Sequence, residues 1–167
     1  IFGSGGTAVE VVGDVATGEK ALAPLRAFGP PVADLVHPMP YAELQQSTPT
    51  PWGMQNYSTA DFLSSFPDEA IDQFAVHALT PISPETAIVV IPGGGAPSRV
   101  GEEATAFGAR NAPFNVHYLG AWLNPADNPV NVARTKAIAA TLKPWATGRA
   151  YLNFLSDDVE RRLPESF

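Results

Sequence analysis

Cysteine is absent from this sequence, which excludes disulfides, thiolate chemistry, Cys-ligated zinc and iron–sulfur clusters, and leaves the redox compartment undetermined. Positive charge is scarce. The 10 Lys+Arg against 17 Asp+Glu give a net charge of -7, so the basic footprint that a phosphate backbone or an anionic membrane surface requires is missing. No nucleic-acid and no membrane partner is expected. No apolar run approaches the roughly 18 residues of a membrane span, and no secretory leader is visible. G-x-S-x-G, H-E-x-x-H and EF-hand loops are also missing, which removes the most direct signs of a serine hydrolase, a zinc protease or a calcium sensor. The chain opens Ile1-Phe2-Gly3 without an initiator Met, which suggests a processed product or a piece of a longer one.

What is present describes a folded domain. At 167 residues, 45% hydrophobic and only 16% charged, the chain is long enough to bury roughly 70% of its unfolded surface in one core. A single domain over 1–167 is expected. The 17 Pro and 14 Gly imply short elements and many turns. Residues 7–12 and 32–37 read as β-branched strands, with a helix over 17–26 between them carrying Ala21, Leu22 and Leu25. A short helix follows over 38–45, and 47–53 reads as loop. From Ser58, capped by Ser58 or Thr59, the spacing of Phe62, Leu63 and Phe66 predicts a helix. Another opens at Pro67 with Ile71, Phe74, Ala75 and Ala78. Residues 86–91 are apolar at successive positions, which predicts a central strand covered on both faces. Over 114–122 the faces of a strand differ, with Phe114, Val116, Tyr118 and Trp122 on one side and Asn115, His117, Leu119 and Ala121 on the other. A helix over 131–142 and a last strand over 150–154 complete the reading. Strands separated by one or two helices point to an α+β fold, an antiparallel or mixed sheet covered by helices on one face; a doubly wound parallel sheet is the alternative.

Few residues carry chemistry. Gly3 to Ala8 match G-x-G-x-x-A in letters, yet no strand precedes and no helix follows, so no pyrophosphate would meet a helix N-terminus. Gly93-Gly94-Gly95 lack the Lys-Ser/Thr of a P-loop and read as a turn or a close approach. The histidines His37, His77 and His117 have no paired acidic neighbours, and no metal site is predicted. His77 falls near a helix end, where it complements the dipole. His117 shares a strand face with Asn115 and either lines a ligand cavity or is a satisfied structural histidine. Tyr151 and Asn153, two apart on a strand, project to one face, as a hydrogen-bonded core pair or as a presented site.

The runs Leu22 to Arg26, Ala33-Asp34, Met39-Pro40-Tyr41 and Leu44-Gln45 resemble the substrate domain of FAD-linked oxidases of the berberine bridge enzyme type. So do Asn56-Tyr57, Phe62-Leu63, Asp68 to Ile71, Pro92 to Ala96, Phe107 to Arg110, Phe114 to Trp122 and Tyr151 to Phe154, in consistent order along nearly the whole chain. The chain departs from the family pattern at Ala109, where His is common, and at Ser58-Thr59. The resemblance implies a small-molecule substrate and FAD bound mainly by a domain of the same protein outside this chain, with the chain by itself inactive. Tyr151 would take a proton from a substrate hydroxyl while hydride leaves the adjacent carbon for flavin, Asn153 would touch the flavin edge or fix Tyr151, and His117 and Asn115 would bind substrate. A phenol is a weak base at neutral pH, so that role requires a neighbour that stabilises the phenolate. The implied activity is oxidation of an alcohol, a sugar hydroxyl or a natural-product precursor, with O2 as final acceptor. A free-standing, non-catalytic ligand-binding or scaffold domain is the alternative.

Overall fold

The computed structural model describes residues 9–46, 52–157 and 159–166, the Glu165 side chain excepted. These fall into two units, 9–46 and 52–166. The first holds two helices, α1 (Val15–Ala27) and the single turn α2 (Tyr41–Leu44). Asp14 caps α1, its carboxylate accepting from the Thr17 hydroxyl at 2.7 Å and from the Thr17 N–H at 3.0 Å. Those bonds hold its carboxyl below the usual range. In the last turn Arg26 donates to Asp34 at 2.6 Å and to Glu19. The strand predicted over 32–37 is absent. Val32 and Leu35 stand almost fully exposed, and a β-branched run without a neighbouring ladder has nowhere to place its backbone hydrogen bonds. Of the predicted strand over 7–12, residues 7 and 8 lie outside the described residues, and 9–12 form no strand, with Val12 exposed. Residues 47–51 of the predicted loop also lie outside the described residues.

The second unit is a three-stranded antiparallel sheet of β1 (Gln55–Leu63), β2 (Ala87–Pro92) and β3 (Phe114–Trp122) in the order β1-β3-β2. With it go α3 (Asp68–Leu79), α4 (Asn128–Leu142) and the short α5 (Val159–Arg162). This is the α+β arrangement that the pattern of elements predicts. On the side of the sheet that carries Leu63, Val116 and Tyr118, the core closes over Ala70 of α3 and Ile138, Ala139 and Leu142 of α4. Phe66 packs edge-on against Phe74 and tilted against Phe114. Gly120 permits α4 to pack on β3: a Cβ there would lie 2.2 Å from Thr135 Oγ1, so α4 could not approach β3 as it does.

Three predicted elements are corrected. The segment opening at Ser58 is a strand, because β1 is buried on both faces over Thr59 to Leu63 and therefore shows no alternation to distinguish it from a helix. Residues 86–91 form an edge strand rather than a central one, and Val89 and Ile91 remain 43% and 40% exposed. Residues 150–154 are not a strand but lead into a 3-10 turn, Leu152–Phe154.

One buried charge organises this unit. Asp61, fully buried, lies opposite Val116 on the helix-covered face, and its Oδ1 accepts from Lys143 Nζ at 2.7 Å and Arg162 Nη2 at 2.8 Å. Arg162 Nη1 also donates to Thr59 Oγ1 at 2.8 Å. Burial, and next the Asp61 carboxylate, push the Tyr118 phenol far above its usual range, so it stays neutral. Between Lys143 and Arg162 the chain runs along the free edge of β1. Ser64 N–H donates to Trp145 O, Thr147 N–H to Phe62 O, Phe62 N–H to Arg149 O and Ser156 N–H to Ser58 O, at 2.8–3.0 Å. An otherwise open strand edge is thereby covered. Among the described residues no helix is long and apolar enough to cross a membrane, and no cluster of three or more His, Cys, Asp or Glu could hold a metal ion. Removing Arg162 leaves the buried Asp61 carboxylate to the half-exposed Lys143, and weakening a buried ion pair is costly; Arg162→Ala should lower unfolding free energy by about 3 kcal/mol in urea titrations, and a loss within error would show that the pair is dispensable.

Candidate functional site

The face of the sheet opposite the helices carries Ser58, Ala60 and Phe62 from β1, Asn115, His117 and Leu119 from β3, and Ala87, Val89 and Ile91 from β2. Its β1 half is roofed by the Leu152–Phe154 turn, which the edge-hugging segment delivers there. Phe154 stacks on His117 with ring centroids 4.0 Å apart and planes at 6°. From it a line of edge-to-face contacts continues through Tyr151 (4.9 Å) and Phe107 (5.4 Å) to Phe62 (6.2 Å). Five rings thus share one side of the sheet.

Few polar groups interrupt this surface. Asn153 Nδ2 donates to the Tyr151 phenol oxygen at 2.8 Å, so the two residues meet through a bond within a turn rather than by sharing a strand face. Asn153 is exposed and Tyr151 half-buried, which makes them a presented pair and not a core pair. Both line a hollow of about 210 Å³, together with Phe107, Gly108, Leu152 and Ser166. A wider cleft of about 830 Å³ shares Ala106 and Gly108 with it and reaches Ser64, Asn111 and Arg149. His117 joins the group through Phe154, and its Nε2 lies 2.5 Å from Ser58 Oγ. Asn115 is buried, and neither its amide nitrogen nor its carbonyl oxygen has a hydrogen-bond partner among the described residues. Such a group costs about 1–3 kcal/mol of desolvation unless something bonds to it.

Sequence reasoning missed Ser58, which was assigned to a helix start, and the two phenylalanines, Phe107 and Phe154, that bracket Tyr151. Reading 55–63 as a strand would have placed Ser58 on the His117 side. Phe107 depends on a loop feature with no sequence signal: Ala109 adopts φ 57°, and the adjacent Arg110, buried, lies 5.1 Å from the Phe107 centroid and donates to Thr105 Oγ1 and to Pro97 O. His37 bonds only locally, its Nδ1 2.9 Å from Leu35 O, and His77 sits in the last turn of α3.

Burial holds the His117 imidazole below its ordinary value of 6.5. The unfolded chain therefore binds this proton at a higher pH than the folded one, and the stability present above about pH 6.5 falls as pH drops from there toward the folded value. His117→Gln should narrow the difference in urea midpoint between about pH 7.5 and about pH 5; an unchanged difference would show that His117 does not titrate this way.

By sequence, the chain matches no protein-family model and no curated protein. Solved structures with the same fold are numerous. BBE-like #28 from Arabidopsis thaliana superposes with a TM-score of 0.58 at 21% identity, over 64% of this chain and 24% of that one. CrmK, a flavoenzyme involved in shunt product recycling in caerulomycin biosynthesis, gives 0.59 at 19% identity, over 73% of this chain and 28% of that one. Phl p 4, a grass pollen allergen with glucose dehydrogenase activity, gives 0.55 at 23% identity, over 62% and 22%. The match thus spans about a quarter of the length of each of these proteins. This chain has the fold of one part of the BBE-like, FAD-linked oxidase structures.

Proposed function

We propose that this chain forms the substrate-facing side of an FAD-linked oxidoreductase that oxidises an alcohol, a sugar hydroxyl or a natural-product precursor, with FAD bound mainly by a separate domain of the same protein. The observation that carries the reading is the partly roofed sheet face: an aromatic and aliphatic surface, open on the β2 side at Val89 and Ile91, with a buried, unpartnered amide at Asn115 and the Tyr151–Asn153 pair at its rim. Such a surface suits a planar ring with polar edges and a ligand between ring and sheet. It does not suit the dinucleotide phosphates, since Gly93 to Gly95 lead into Ala96-Pro97 and a single 3-10 turn rather than a helix. The residues here fit the ring side of the cofactor alone.

The roles follow from position. Asn115 and His117 orient substrate on the sheet. Tyr151 takes the proton of the reacting hydroxyl, and Asn153, bonded to its oxygen, fixes the phenol in place at the flavin edge. When bound, FAD supplies the acceptor for the hydride that leaves the adjacent carbon, with O2 as the final acceptor. Loss of a proton and a hydride leaves a carbonyl.

The holoprotein containing this chain should show flavin absorbance, bleach anaerobically with a hydroxylated substrate and release peroxide on readmission of air. Tyr151→Phe should slow anaerobic bleaching by about 100-fold or more; bleaching at the parent rate would refute the base assignment, and a holoprotein without flavin would leave the non-catalytic ligand-binding reading. The 167-residue chain alone should release no peroxide, and rapid turnover by it would contradict the division of labour.

A further inference from the structure

The hydrogen bonds of Ser58 are fully assigned. Its N–H donates to Ser156 Oγ at 2.8 Å, its carbonyl accepts from Ser156 N–H at 2.9 Å, and its hydroxyl donates to Phe154 O at 2.9 Å. A carbonyl oxygen has no proton to give, so the Ser58 hydroxyl hydrogen is committed to Phe154. The same oxygen lies 2.5 Å from His117 Nε2, and with its only hydrogen engaged elsewhere it can meet that nitrogen only as an acceptor. Nε2 must therefore carry the hydrogen. In a neutral imidazole the other nitrogen, Nδ1, is then the lone-pair acceptor. Phe154, stacked over the ring at 4.0 Å and 6°, holds the imidazole in this orientation. Nδ1 has no hydrogen-bond partner among the described residues and is not sealed from solvent.

We infer that Ser58 is a positioning residue: by fixing His117 as the Nε2–H tautomer it makes Nδ1 a hydrogen-bond acceptor on the open face, so that the ligand group bound there is an O–H or N–H donor and not a carbonyl or carboxylate. The inference sets the polarity of one contact in the proposed substrate site. The Asn115 amide, on the same face of the same strand, is itself buried, and neither of its polar atoms has a partner among the described residues. Without the Ser58 relay an imidazole exchanges tautomers and could present either polarity. The placement of Ser58 in β1, two residues from Ala60, the register partner of His117, brings its hydroxyl to the ring and the turn at once.

Nitrogen-15 NMR of the chain reads the tautomer directly, with His37 and His77 as internal references. Near neutral pH His117 should show a protonated Nε2 and an unprotonated Nδ1 as a single species, and Ser58→Ala should convert this to a tautomer mixture. Ser58→Thr, which keeps the hydroxyl, should restore the single species. A wild-type His117 with the proton on Nδ1, or a tautomer unchanged in Ser58→Ala, would overturn the inference; the wild-type spectrum decides even if the alanine variant does not fold. Neither outcome depends on flavin, so failure here is separable from failure of the oxidoreductase reading, which would show as absence of flavin in the holoprotein.

Discussion

The carboxylate of Asp61 sits in the middle of β1 with no exposed surface, and everything on the C-terminal side of α4 is arranged around it. A charge in that position is tolerable only with cations against it, and Lys143 and Arg162 supply them from either side of residues 144–161. Because both anchors lie on the helix-covered face, the intervening chain has to leave that face and return to it. It does so along the edge of β1, using backbone groups that the strand would otherwise leave open. The excursion carries Tyr151, Asn153 and Phe154 to the opposite face of the sheet. The buried charge is thus the constraint, and the aromatic site is its consequence.

That opposite face is buried at Ala60, Phe62 and Asn115. The rings of His117, Phe154, Tyr151, Phe107 and Phe62 touch in sequence, yet the β2 side remains open at Val89 and Ile91. An orphaned amide is a cost when nothing binds to it and a specificity element when something does. The likeness to BBE-like structures at 18–21% identity speaks to the fold. The proposed substrate and flavin contacts rest on the chemistry of this face.

The strongly patterned parts of the fold were legible in the sequence. β3 declared itself through two unlike faces, α3 through Pro67 and its apolar stripe, α4 through the apolar positions Val132, Ile138 and Ala139 and the stop near Pro144. The order of elements gave an α+β layer. What could not be read was set by tertiary pairing. β1 is buried on both sides and lacks period-two contrast; β2 is uniformly apolar yet half-exposed at an edge; 32–37 has strand composition and no ladder to join. At the site, Tyr151, Asn153, His117 and Asn115 were all singled out from local pattern. Their connection through Phe154 and Ser58 was not, because it depends on the path between Lys143 and Arg162, and no local signal reveals that two distant cations share one carboxylate.

The central claim is that the sheet face displayed by this crossing, and not the helix side, receives a planar ring and its substrate. Titrating the chain with riboflavin while following its backbone amides tests this most directly. Shifts should concentrate at Asn115, His117 and the Leu152–Phe154 turn. Shifts centred on α3 and α4, or none at millimolar riboflavin, would contradict the account.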